Sequence, residues 1–181
     1  RFNNIDRVDF LLFKTHPKLK LNLSCNQLNE ETMDNIRIIL PYADLKLQGK
    51  YNFKEIIILA GYKGFQIKKK YHNKVFNLIK IKCIIEKKRL GTWGAVHNYK
   101  KNIKNDFILV NGDTIFNAEL NRLDKLNFKK EKMVMFLTKK HAYKENKKLN
   151  NINIDKNNNI IFARKSKYIN SGIYYIKKKN I

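Results

Sequence analysis

The chain is expected to fold as an α/β domain built around a mostly parallel sheet, with an antiparallel hairpin laid upon it. Three observations carry that expectation. From residue 53 onward, short apolar β-branched runs alternate with helix-spaced segments, which is the rhythm of βαβ units joined by right-handed crossovers. The runs are bounded by Gly, Asn or charged residues, as strands in such a sheet are. One late pair of runs flanks the turn-rich Asp155-Lys-Asn-Asn-Asn159, the pattern of a hairpin.

Taken in order, Glu55–Ala60 (Glu-Ile-Ile-Ile-Leu-Ala) reads as a strand buried on both faces. Gly61 ends it, and Phe65–His72 predicts a short helix. Leu78–Ile85 is a second, partly alternating strand, and Gly91–Ile103 a helix entered through small residues. Asp106–Val110 predicts a third strand, stopped by Asn111-Gly112-Asp113. Ala118–Leu126 has helical spacing, and Lys132–Thr138 predicts a fourth strand. The runs at Ile152 and Ile160–Phe162 form the hairpin, and Tyr168–Ile176 is the last strand.

The beginning of the chain differs. Residues 1–32 are irregular and broken at His16-Pro17. Thr32–Leu47 has helical spacing through Met33, Ile36, Ile39 and Leu40, interrupted by Pro41. The expected division is therefore a divergent segment, residues 1–50, followed by a core, residues 51–181. No internal repeat is visible.

A length of 181 residues suits one domain with a sizeable core. The formal charge of +24 is mostly Lys, scattered through every segment among many Asn and Ile residues. That is the mixture AT-rich codons produce, and no nucleic-acid recognition motif accompanies it. Lys68–Lys70 and Lys177–Lys179 read as solvated faces or strand ends, although such a field would draw in phosphorylated substrates. No stretch approaches the ~20 apolar residues of a membrane span, and nothing near Arg1 resembles a signal peptide. Cys25 and Cys83 lack any metal or redox spacing and read as free thiols of a reducing cytoplasm. A start at Arg1 and a stop just after a strand-like run lead to the expectation of a fragment.

Three segments fall where doubly wound sheets bind ligands, at the carboxyl ends of strands. In Leu109-Val-Asn-Gly-Asp-Thr114, Gly112 permits a tight turn and Asp113 offers the hard oxygens Mg²⁺ prefers. Asn-Gly-Asp is also ordinary turn chemistry. In Leu90-Gly-Thr-Trp-Gly-Ala95, small residues at a helix start let backbone amides approach a base or phosphate, although glycines there also serve packing. Lys165, ahead of Tyr168-Ile-Asn-Ser-Gly-Ile-Tyr174, could supply a point charge to a phosphate, as could any lysine of this chain.

Together these segments are more specific. Phe53-Lys-Glu-Ile-Ile-Ile-Leu-Ala-Gly-Tyr62, Glu86, Leu90-Gly-Thr-x-Gly-Ala95, Asp106-Phe-Ile-Leu-Val-Asn-Gly-Asp-Thr114, Phe162-x-x-Lys165 and Ile169-Asn-Ser-Gly-Ile-Tyr174 keep a recognisable order and spacing. Over about residues 50–176 the chain resembles the sugar-1-phosphate nucleotidylyltransferases. In flavour it is closest to the D-glycero-D-manno-heptose 1-phosphate guanylyltransferases of bacterial surface-polysaccharide pathways.

The resemblance implies a Rossmann-like three-layer fold of the nucleotide-diphospho-sugar transferase type. It also implies a reaction in which a sugar 1-phosphate attacks the α-phosphorus of an NTP, with Mg²⁺ present, and pyrophosphate leaves. By the same resemblance Asp113 is the metal aspartate and Lys165 the lysine that holds the sugar phosphate, the two catalytic residues. Gly91, Thr92, Gly94 and Gly112 would bind the nucleotide, and Asn170 and Gly172 would line the sugar pocket.

Four departures stand beside it. Residues 1–50 contain no match to the family's Gly-Gly-x-Gly-Thr-Arg loop, which cradles the triphosphate. Trp93 replaces a small residue and could fill the base pocket, Arg164 replaces a glutamate before the lysine, and the chain stops before a second metal aspartate. These departures predict little or no turnover by the chain. They keep two alternatives in view: a truncated or decayed homologue, and a basic module binding nucleic acid or anionic glycan with a steep salt dependence. The base, the sugar and any homo-oligomer are left open.

Overall fold

The computed structural model describes residues 36–41, 53, 55–76, 79–112, 133–139, 152–157, 159–162 and 167–181. Among these residues nine strands form one sheet and two α-helices pack on it. The strands are β1 (Ile36–Pro41), β2 (Glu55–Ala60), β3 (Val75–Phe76), β4 (Ile79–Ile85), β5 (Phe107–Asn111), β6 (Met133–Lys139), β7 (Ile152–Ile154), β8 (Ile160–Phe162) and β9 (Tyr168–Ile176). The helices are α1 (Gly64–Tyr71) and α2 (Gly91–Tyr99). Spatial order runs β3-β4-β2-β1-β5-β9-β7-β8, with β6 also paired to β9. No described helix is long and apolar enough to cross a membrane.

The register settles the directions. β2, β4, β5, β6 and β7 run one way, while β1, β3, β8 and β9 run the other. Direct parallel pairing occurs between β2 and β4, through Glu55↔Lys80 to Ala60↔Ile85. The α/β expectation holds, with a mixed sheet in which the common direction is set by strands that are often not neighbours.

Each face of the sheet carries its own core. On one, Ile38, Leu40, Ile56, Ile58, Ile81, Ile108 and Val110 pack with Ile67 and Tyr71 of α1. On the other, Ile39, Ile57, Leu59, Phe107, Leu109 and Tyr174 pack with Ala95, Val96 and Tyr99 of α2. Consecutive residues of β1, β2 and β5 alternate between these clusters, which is why their sequences are continuously apolar. The hairpin is also present: β7 pairs with β8, and Asp155 Oδ1 accepts from the Asn157 and Asn159 amides at 2.8 Å each, closing its turn.

Residues 36–41 require a correction. The helix expected over Thr32–Leu47 is, across its described part, the strand β1 at the centre of the sheet. It pairs antiparallel with β2 on one side and β5 on the other. Two physical facts favour the strand. Ile36-Arg-Ile-Ile-Leu carries three β-branched residues, which lose side-chain freedom in a helix and pack well on a pleated surface. Pro41, which would break a helix, sits at the strand end, where the β1–β2 pairing has already stopped at Ile39↔Ile57. Ala118–Leu126, the other expected helix not seen here, lies outside the described residues, as do Cys25 and Arg164.

Candidate active site

One edge of the sheet collects the chemistry. The carboxyl ends of β2 and β4 meet there, at Ala60 and Ile85. Because β1 is reversed, its amino end reaches the same edge, with Arg37 in register with Leu59 and with Asn111, the last residue of β5. The β5–β9 pairing ends at Val110↔Ile173, one residue short of Asn111 and of Gly172.

Above this edge stands the start of α2. Gly91, at φ +67°, makes the turn into the helix in a conformation that costs a side chain strain. No side chain caps α2 and its first turn holds no acidic residue, so the positive end of the helix dipole lies at this start. Thr92 ties the turn to the sheet. Its Oγ1 accepts from Arg37 Nε–H at 2.8 Å and lies 3.5 Å from Asn111 Oδ1. The half-buried Arg37 thus holds the helix start over the end of β5. Gly94 is close-packed: a Cβ there would come within 2.9 Å of Leu90 Cβ.

A second group approaches from β9. The Trp93 indole meets the Tyr174 ring edge-on, centroids 5.6 Å apart and planes at 63°, and Trp93 as a residue remains 46% exposed. Asn170 Nδ2 donates to Tyr174 Oη, and Asn170 Oδ1 accepts from the Gly172 amide at 2.9 Å. This small knot sits on a bulge. Between Met135↔Tyr174 and Leu137↔Asn170, residues 171–173 of β9 oppose only Phe136, whose carbonyl accepts from Ser171 Oγ at 2.8 Å. Gly172 takes φ +76° to make the bend, and bulges of this kind re-aim side chains at sheet edges.

Glu86 follows β4 directly, its amide donating to the Ala60 carbonyl at 2.9 Å. Its Oε1 is buried without a hydrogen-bond partner. Burial pushes this carboxyl above the usual carboxylate range, and the positive charge of Arg37 pulls it partly back.

The structure therefore brings Gly91, Thr92 and Gly94 to the same edge as Gly112, which follows Asn111 directly. Asn170 and Gly172 reach that edge through β9 and the Trp93–Tyr174 contact. Asp113 and Lys165 lie outside the described residues. Among the described residues no group of three or more His, Cys, Asp or Glu could hold a metal ion. Two contributors escaped the sequence reading. Tyr174 looked like any aromatic of a buried strand, and Arg37 was hidden by the helical reading of its segment. A lone cation inside an otherwise apolar β-branched run was the available signal.

Comparison with known proteins adds the following. The family described as "Nucleotidyl transferase" matches residues 35–181. The D-glycero-alpha-D-manno-heptose 1-phosphate guanylyltransferase of Campylobacter jejuni subsp. jejuni serotype O:2 is 35% identical over 139 residues, which is 74% of this chain. The chain spans 58% of the length of that relative. Among solved structures, HddC from Yersinia pseudotuberculosis superposes with a TM-score of 0.50 at 24% identity, covering 71% of this chain and 58% of that one. At that identity the likeness speaks for the fold.

Proposed function

Since the chain belongs to the nucleotidyl transferase family, we propose that it transfers a guanylyl group from GTP to a sugar 1-phosphate, releasing pyrophosphate. The acceptor we propose is a heptose 1-phosphate, the product an NDP-sugar for surface polysaccharide, and the compartment the cytoplasm. The observation that carries the reading is the junction of three segments at one sheet edge. The Gly91–Gly94 turn is tied through Thr92 to Asn111, immediately before Gly112, with Asn170 and Gly172 reaching the same edge from β9. The 35% identity to a guanylyltransferase supports the choice of base.

In this reading Gly91, Thr92 and Gly94 offer backbone and hydroxyl to the nucleotide, and Gly112 lets its phosphates pass close to the chain. Asn170 and Gly172 line the sugar pocket, the bulge of β9 turning them toward it. Lys165 holds the sugar phosphate. Asp113 would hold Mg²⁺, with water and phosphate oxygens completing the shell; bound there, the ion would neutralise charge on the transferring phosphoryl group. The chain's own contribution is positioning and a fixed electrostatic environment, where one lost contact can cost several kcal/mol of barrier, written as roughly 2–4 kcal/mol for a single donor.

The test is pyrophosphate release by the purified chain with Mg²⁺, the four common NTPs and a panel of sugar 1-phosphates. GTP with a heptose 1-phosphate is expected to exceed every other pair. Its turnover should stay below about one per second, because residues 1–50 offer no glycine-rich triphosphate loop. Release no greater than a blank for all pairs, or a clear preference for another base, would overturn the proposal. Lys165→Ala should raise the KM for the sugar phosphate; an equal effect from replacing Lys177, Lys178 and Lys179 would mean that only bulk charge matters.

A further inference from the structure

Of the residues that depart from the family pattern, Trp93 lies among the described residues and Arg164 outside them. Trp93 is the third residue of α2, directly after Thr92, whose Oγ1 lies 3.5 Å from Asn111 Oδ1. Successive residues of a helix diverge by about 100°, and these two serve different strands. Thr92 contacts β1 and β5 through Arg37 and Asn111, whereas the Trp93 indole meets Tyr174 of β9 edge-on, 5.6 Å between centroids. Tyr174 is itself 5% exposed and packs in the core with Ala95, Val96 and Tyr99 of α2, so the indole rests on a ring that the core holds in place. Tyr174 Oη accepts from Asn170 Nδ2, and Asn170 Oδ1 accepts from the Gly172 amide at 2.9 Å. One chain of contacts thus runs from the Gly91–Gly94 turn through Trp93 and Tyr174 to the bulge of β9. Trp93 nevertheless stays 46% exposed, so a large part of an apolar side chain stands open at this edge.

We propose that Trp93 is a specificity-determining residue for the acceptor, its indole covering the apolar face of the sugar ring whose hydroxyls meet Asn170 and Gly172. The inference rests on the nucleotidyl-transfer reading above and adds a contact from a position where the family has a small residue. A pyranose presents a patch of C–H bonds between its hydroxyls. The negative face of an indole suits that patch, and a wide rigid ring covers it at little cost in side-chain freedom. The polar part of the pocket is already at hand: the Asn170 bond to Tyr174 uses one of the two N–H donors of that amide. An aromatic wall with a few placed polar groups is how small-molecule sites combine affinity with orientation. Guanine would also stack on an indole, but the partner of Trp93 lies on β9, the strand that carries Asn170 and Gly172, and not on β5 beside Gly112.

The test uses the 181-residue chain, whose single tryptophan is Trp93. Two probes that share the nucleotide are compared, GDP and GDP-D-glycero-α-D-manno-heptose, with Mg²⁺ present. Acrylamide quenching of the tryptophan is expected to fall at least about twofold in the GDP-heptose complex and to stay near its unliganded value with GDP. Equal protection by GDP would place the indole on the nucleotide and overturn the inference; so would binding of GDP-heptose with no protection, the result if Trp93 only props Tyr174. In calorimetric titration Trp93→Ala, which keeps a good helix former in α2, should weaken GDP-heptose about tenfold while GDP stays within about twofold. Trp93→Phe should hold GDP-heptose within about threefold. Equal losses for both probes, or no loss for GDP-heptose, would refute the sugar contact. Should Trp93→Ala not fold, judged by circular dichroism, the quenching and Trp93→Phe decide. Failure of the unaltered chain to bind either probe would remove the nucleotidyl-transfer reading itself, and the inference with it.

Discussion

The placement of Ile38, Ile39 and Leu40 makes a test of strand against helix. All three are buried, at 3%, 0% and 1% exposure, although they are consecutive. A helix turns about 100° per residue, so three successive side chains spread over about 200° and one must leave a single buried stripe. A central strand covered on both faces buries all three. Ile38 and Leu40 pack with the α1 cluster and Ile39 with the α2 cluster. Ile38→Val and Ile39→Val each remove one methylene, worth about 0.8 kcal/mol in transfer plus the void left behind, so each should cost about 1 kcal/mol. Leu40→Ala should cost roughly 2–5 kcal/mol. The two valine changes have separate neighbours across the sheet and are expected to add to about 2 kcal/mol. Urea unfolding would measure this as a fall in midpoint at unchanged slope. If any one of the three changes costs less than about 0.3 kcal/mol, that side chain is not in a core and the strand assignment fails.

Three further outcomes are expected. Burial raises the folded-state pKa of Glu86 above its unfolded value, so its contribution is complete below the ordinary carboxylate range and is lost as pH rises through the raised value. Glu86→Gln should therefore gain thermal midpoint relative to the unaltered chain as pH goes from 4 to 7, and a difference that stays flat with pH would contradict this. The Cys83 thiol is buried at 1% exposure and pushed up to about 11 by that burial. In a Cys25→Ser background, disulfide-exchange labelling at pH 8 should be slower than in urea by about 100-fold from the loss of thiolate alone, and rapid labelling of the folded chain would count against the placement. Gly91→Ala meets no atom within 4 Å but must hold φ +67°, so it should cost about 1–2 kcal/mol of stability through conformation alone; a neutral result in urea unfolding would mean the turn relaxes.

Much of the fold could be read from local pattern. The run Glu55–Ala60 and the apolar part of Asp106–Val110 fit a strand and little else, the mixed run Tyr168–Ile176 also reads as one, and the structure has strands at all three. The Gly61 and Gly91 boundaries were equally legible, because a glycine next to a periodic run has few structural uses. The candidate site was legible in part for the same reason: Gly91, Thr92, Gly94 and Gly112 sit where a strand or turn meets a helix or loop. What could not be read was Arg37, since its place depends on the direction in which its strand enters the sheet.

The amino-acid sequence by itself determined the alternation of strands and helices, the hairpin at Asp155, and the family-like order of the site segments, because each is written in short-range spacing and turn chemistry. Only the tertiary structure decided that residues 36–41 form a strand, that this strand runs antiparallel between β2 and β5, and that Arg37 therefore reaches Thr92. A six-residue apolar segment is nearly neutral between helix and strand on its own. The slot between the twice-buried strands β2 and β5 offers both sets of backbone hydrogen bonds and two apolar faces at once, and that combination settles what the β-branched residues and Pro41 only favour.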